Sequence, residues 1–147
     1  MRAAYRVLAY IIAAEVIIQA MAAVYAIAGL GKWIDDGGVF DKAVMESEES
    51  PFPEVVGFIV HGINGMMIIP VLALVLLVLS FFAKVPGGVK WAGIVVLLVA
   101  LQITFGLVGH AVPAVGALHG MNALLLFGAA MYTAQRVRVD ARVASPA

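Results

Sequence analysis

Four stretches of this 147-residue chain are each long and apolar enough to cross a hydrocarbon core about 30 Å thick, which takes roughly 20 residues. They run from about 5 to 30, 55 to 83, 91 to 109 and 114 to 135. In lipid a span must satisfy its own backbone polar groups, so each stretch is expected to be a helix. The expected fold is an all-α membrane protein, one transmembrane domain over 1–147. Composition agrees. Apolar residues make up 64% and charged residues 12%, against roughly half and a quarter in a soluble domain. Arg2 and Arg6 give the first stretch the start of a signal peptide. Its apolar run outlasts a signal core of about 7–15 residues, so it reads as a span.

Loop charges set the expected orientation. Arg2, Arg6, Lys84, Lys90, Arg136, Arg138 and Arg142 flank one side, and only Lys32 and Lys42 the other. By the positive-inside rule both termini are cytoplasmic, with the tail 136–147 inside. The localisation expected is the bacterial cytoplasmic membrane, multi-pass. The external segment 31–54 is acidic, holding Asp35, Asp36, Asp41, Glu46, Glu48, Glu49 and Glu54. It has no spacing of a calcium loop and reads as solvated charge. Trp33 and Trp91 fall where membrane-belt tryptophans stand. Pro86-Gly87-Gly88 and Val112-Pro113 are short turns, which make consecutive helices antiparallel neighbours in an up-down-up-down bundle. Basic and acidic residues balance at nine each, so no nucleic-acid partner is expected. The absence of cysteine excludes disulfides, thiolate metal sites and covalent c-type haem.

The two hairpins repeat each other. Val60-His61-Gly62-Ile63-Asn64-Gly65 in the second span matches Leu118-His119-Gly120-Met121-Asn122-Ala123 in the fourth. Nine residues after each histidine stands a helix-loosening residue, Pro70 or Gly128. Gln19 and Gln102 give a weaker echo in the first and third spans. Such parallel repeats are related by an axis along the membrane normal.

The repeat places two imidazoles at matched depth, about five to six residues or roughly 8–9 Å inside the outer surface. Ionisable groups at such depth normally face the bundle interior. Two inward imidazoles suit bis-histidine ligation of a haem b, since bundle cores carry cofactors on facing helices and histidine is a standard axial ligand. His61 and His119 are then the iron ligands. Gly62 and Gly120 let a porphyrin face approach the backbone, and Asn64 and Asn122 orient a ligand or bond across the bundle. A zinc site wants four ligands, which these histidines alone do not supply. His110 is expected at the outer mouth or on a haem propionate, with Lys32 and Lys42 as alternatives. The plainer reading is that the His/Asn pairs glue helices together.

Glu15, Gln19 and Gln102 form a second, deeper polar cluster near mid-membrane. An intramembrane carboxyl points to function, here proton passage or binding of a quinone or lipid headgroup. Hydrogen bonding of a neutral acid to Gln102 for packing is the alternative. Met21, Met66, Met67, Met121 and Met131 read as soft packing, with Met66 and Met121 near enough to the motifs to line a pocket.

The run from Leu101-Gln102 through His119-Gly120-Met121-Asn122-Ala123-Leu124-Leu125-Leu126-Phe127-Gly128, with the Gln19 to Gly31 region and His61-Gly62, resembles a family of small uncharacterised four-span bacterial membrane proteins common in actinobacteria. The likeness covers most of the chain. More distantly, the chain is similar to one half of the haem A synthase fold. That resemblance implies histidine haem ligands near the outer ends of the second and fourth helices, here His61 and His119. It also implies a glutamate in the first outer loop, which Glu54 matches loosely in position. The chain departs from the synthases in lacking an outer-loop cysteine pair and in having one histidine pair. Ala28-Gly29-Leu30-Gly31-Lys32 also resembles the end of the first span in DoxX-like four-span proteins.

Three functions therefore fit the sequence. One is a haem b-binding membrane protein in electron transfer, or an accessory subunit of a membrane redox or respiratory complex. Another is a haem-modifying enzyme resembling haem A synthase, with Glu54 or His110 near the reacting haem edge. The last is a cofactor-free structural subunit. The expected partners are the lipid bilayer, further copies or a larger redox complex, and a quinone or lipid.

Overall fold

In a computed structural model the protein is described over residues 1–47 and 49–143, with side chains described as far as Val137. Glu48, the side chains of Arg138 and Arg142, and residues 144–147 lie outside the described residues. The elements are α1 (Arg2–Asp35), α2 (Lys42–Glu46), a 3-10 turn (Pro53–Val55), α3 (Val56–Ile63), a π turn (Asn64–Ile68), α4 (Ile69–Ala83), α5 (Gly88–Gly109) and α6 (Pro113–Val143). The 3-10 turn, α3, the π turn and α4 follow without a break, so the second span is one long helix. Among the described residues four helices are long and apolar enough to cross a membrane, and none forms a strand. They begin or end up to eight residues beyond the expected limits, because helical hydrogen bonding continues past the last apolar residue into the polar flanks.

The apolar surface is turned outward. Leu124 is 75% exposed, Met21 66% and Phe81 63%, faces that only a lipid or a partner would cover. The interior is built instead from small side chains. Ala9, Ala13, Ala73, Ala83, Ala92, Ala130 and Ala134 are buried, with Ile12, Leu76, Val95 and Leu126 among them. In lipid the apolar effect gives helices no reason to associate, so close backbone approach over small residues does that work. Gly57 shows the same principle, since a Cβ there would overlap the Ala22 carbonyl oxygen of α1. At Gly109 a Cβ would stand 2.8 Å from the Gly116 Cα, so glycine lets α5 and α6 meet closely beside their turn.

Around the bundle α4 packs on α1 and α5, α5 on α6, and α6 on α1, whereas α3 packs chiefly on α1. The second and fourth spans are therefore diagonal. One end is fastened by side chains that reach the turn between α4 and α5. Arg2 donates to the carbonyls of Ala83 at 3.2 Å and Lys84 at 2.9 Å, satisfying carbonyls that the end of α4 leaves open. The buried Tyr5 hydroxyl donates to Gly88 at 2.9 Å. Arg136 donates to Pro86 from Nε at 3.0 Å and Nη2 at 2.6 Å, and Trp91 lies against Tyr132 with ring centres 4.3 Å apart. Lys84, with φ 50, and Gly87, with φ 68, make the turn by adopting left-handed backbone, a conformation glycine takes without steric strain.

Toward the opposite end this packing thins, although Ala26, Phe52 and Gly57 remain buried. From 100 to 121, and again from 14 to 25, no residue is buried. The segment after α1 folds back on α1 itself. Phe52 meets Trp33 with ring centres 5.8 Å apart, and Glu54 lies over Gly29. Most of the buried apolar side chains thus lie toward the end with the α4–α5 turn, and within the repeated motifs the buried residues are Asn64 and Asn122.

Candidate functional site at the histidine layer

Each repeated motif builds the same hydrogen-bonded clasp. In the first helical pair Gln19 Nε2 donates to the His61 carbonyl at 3.0 Å, and His61 Nδ1 stands 3.1 Å from the Gln19 carbonyl. In the second pair Gln102 Nε2 donates to the His119 carbonyl at 3.0 Å, and His119 Nδ1 stands 2.9 Å from the Gln102 carbonyl. A carbonyl only accepts, so both Nδ1 atoms must carry the proton. That fixes the tautomer: in the neutral ring Nε2 keeps a free lone pair. A backbone carbonyl on Nδ1–H is also the usual support behind a metal-ligating histidine.

The asparagines complete the layer. Asn122 is buried and donates through Nδ2 to the Leu98 carbonyl at 2.9 Å and to Gln102 Oε1 at 2.6 Å. Asn64, equally buried, donates to Glu15 Oε2 at 2.8 Å. The alternative in which Glu15 bonds Gln102 does not form: the partner of Glu15 is Asn64, and Gln102 is engaged by Asn122 and His119. Nor do Glu15, Gln19 and Gln102 form a separate, deeper cluster. They and the His/Asn motifs are one layer. Part of this was readable. Gln102 lies seven residues before the end of α5 and His119 six after the start of α6, so a short turn puts them at one level.

The two clasps meet. The His61 and His119 rings, on diagonal helices, have centres 6.0 Å apart with planes tilted by 54°. Both residues are half-buried. The other expected residues do not join them. His110 caps α5 and is exposed. Lys32 pairs with Asp36 on the surface, a contact that holds its ammonium above the usual lysine range, and Lys42 pairs with Glu46 at 3.5 Å. Glu54 stays beside Gly29 on α1. A Cβ on Gly62 or Gly120 would meet nothing within 4 Å, so both positions have room beside them, and Gly62 shares an apolar groove with Phe58, Ile59, Ile63, Met66 and Met67.

The donor set can be tested against a haem. A metal–imidazole bond is about 2 Å, and a ring centre lies roughly 1 Å behind its nitrogen, so two imidazoles on one ion in a straight line hold their centres about 6 Å apart. The observed separation equals that span, and both Nε2 atoms are free of hydrogen bonds to carbonyls. The same spacing also suits a tilted ring contact. Among the described residues no three His, Cys, Asp or Glu side chains gather as a metal cluster, so a closed zinc-type cage is not formed. What the layer offers is two imidazoles with Nδ1 engaged and ring centres 6.0 Å apart. No protein-family model, curated protein or solved structure matches the chain.

Proposed function

We propose that this protein binds haem b between His61 and His119 in a four-span, up-down-up-down bundle, and serves electron transfer as a small membrane cytochrome or as the haem-bearing subunit of a larger redox assembly. The observation that carries the reading is the duplicated clasp: two histidines, each with Nδ1–H held on a glutamine carbonyl, with ring centres 6.0 Å apart. Helix glue needs a hydrogen bond, but it does not need two matched imidazoles that keep their remaining lone pairs free. A haem bound there supplies a one-electron ferric/ferrous couple.

The chain's own part is to orient and to shield. Gln19 and Gln102 lock the imidazoles, raise their basicity through Nδ1–H, and tie each histidine's backbone to the neighbouring helix. Asn122 fixes Gln102 in turn. The basic flanks place both termini in the cytoplasm and the histidine layer in the outer half of the membrane. The exposed apolar belts take lipid or a partner subunit.

The test is a reduced-minus-oxidised visible spectrum of the detergent-purified protein with a haem-to-protein ratio. A low-spin spectrum near one haem per chain, lost in His61→Ala and in His119→Ala, is the expected result. A folded, colourless protein after expression with ample haem would overturn the reading and leave a structural subunit. A chemically altered haem in the preparation would move the assignment to a haem-modifying enzyme.

A further inference from the structure

The two helical pairs differ at one point. In the second pair the side-chain acceptor is satisfied, because Gln102 Oε1 takes the Asn122 amide. In the first pair the Asn64 amide is turned to Glu15, and two buried acceptors, Gln19 Oε1 and Asn64 Oδ1, have no partner. Buried acceptors without donors are costly in a membrane interior, where no water replaces the missing bond. The position that makes the difference is Glu15, four residues before Gln19. Four residues before Gln102 stands Leu98, which contributes only its backbone carbonyl.

The arrangement has a solution that uses one proton. A carboxylate only accepts, so it takes the nitrogen end of the Asn64 amide. A carboxylic acid donates through its hydroxyl and takes the oxygen end. With Glu15 neutral, a half-turn of the Asn64 amide gives its oxygen the Glu15 proton and frees its nitrogen for Gln19 Oε1. That second bond is the one Asn122 already makes to Gln102. Both unpartnered acceptors would then gain a donor, by analogy with the bond in the second pair.

We propose that Glu15 is a proton-binding site inside the bundle, its proton held in a Glu15–Asn64–Gln19 chain that ends on the clasp carrying His61. Among the motif residues Glu15 is hydrogen-bonded to Asn64. On the helices packed against α1 at this level the titratable side chains are His61 and His119, each with Nδ1 engaged on a glutamine carbonyl. The nearest charged residues along α1 are Arg6 and Lys32, nine and seventeen positions away. Among these residues no cation stands beside Glu15, and the Asn64 amide that now gives it a nitrogen can turn its oxygen to the same place. Release of that proton breaks the chain at Asn64 and returns the two acceptors to their unpaired state, one of them on the Gln19 side chain that bonds the His61 carbonyl.

The test is infrared spectroscopy of the purified protein in lipid nanodiscs at neutral pH. The wild type should show the carbonyl stretch of a protonated carboxylic acid, amounting to one group per chain, and Glu15→Gln should lose it. Glu15→Gln keeps a donor toward Asn64, so its thermal stability should match the wild type in acid, where the carboxyl is protonated folded and unfolded alike, and exceed it at neutral pH. Raising the pH should lower the wild-type melting temperature as the carboxyl gives up its proton, and leave that of Glu15→Gln unmoved. Identical spectra for wild type and Glu15→Gln at neutral pH would overturn the proposal, as would a melting temperature in the two proteins that responds equally to pH. The measurement needs no haem. A colourless protein that shows the Glu15 band would sink the haem reading alone, and a haem protein without it would sink this one alone.

Discussion

The bond between Asn122 and Gln102, at 2.6 Å, can be isolated by a double-mutant cycle. Gln102→Leu removes two side-chain bonds, one to the His119 carbonyl and one from Asn122. Side-chain hydrogen bonds inside membranes are worth about 0.6 kcal/mol on average and up to about 1.7, so this variant should lose roughly 1–3 kcal/mol. Asn122→Ala also removes two bonds, to Leu98 and Gln102, and leaves a void at a buried position, so its loss should be at least as large. The two variants share one bond. The double variant should therefore fall short of additivity by about 0.6 kcal/mol, up to about 1.7, a factor of roughly 3 to 20 in the folding equilibrium. Equilibrium unfolding by SDS in mixed micelles reads all four corners of the cycle. Because His119 Nδ1 rests on the backbone carbonyl of Gln102, which leucine retains, Gln102→Leu should keep its haem-to-protein ratio. Costs additive to within about 0.3 kcal/mol would refute the bond and with it the description of the layer.

Gly57→Val would press a side chain onto the Ala22 carbonyl, and overpacking of that kind should lower stability by about 1–3 kcal/mol in the same unfolding assay. Asp36→Asn removes an exposed ion pair and should leave the melting temperature unchanged within error, since exposed pairs contribute little. The cysteine-free chain allows a direct orientation test: Ser50→Cys should react with a membrane-impermeant thiol reagent on intact cells. Lys90→Cys should react only after the membrane is opened, and the reverse pattern would invert the orientation.

The four spans were legible because the bilayer demands so simple a pattern: a long apolar run in lipid has no stable backbone conformation open to it but the helix or the closed barrel. The turns at Pro86-Gly87 and Val112-Pro113 were legible for a similarly local reason. The repeat of His-Gly-x-Asn could be read, and with it the matched levels of His61 and His119. The short turn between α5 and α6 even fixed Gln102 beside His119, a consequence of counting residues from one turn. No such count was available for Gln19 and His61, because the segment between their helices is long and folds back on α1. Side-chain reach also went unread. A glutamine one helix away can bond a backbone carbonyl beside a histidine, and this joined two clusters that spacing alone had kept apart.

What the sequence by itself determined, then, is the membrane character, the number of spans and the two motifs, each set by periodicity and hydropathy along one helix. Only the tertiary structure decided which partners those motifs take. The tautomer of His61 and His119 comes from carbonyls on neighbouring helices. The 6.0 Å approach of their rings comes from the diagonal placement of the second and fourth spans. The contrast between Glu15 and Leu98 acquires meaning only once Asn64 and Asn122 are seen to occupy equivalent positions. Hydrogen bonds between helices depend on rotation and offset, which small residues such as Ala13, Ala92 and Ala130 set through packing rather than through any pattern written along the chain.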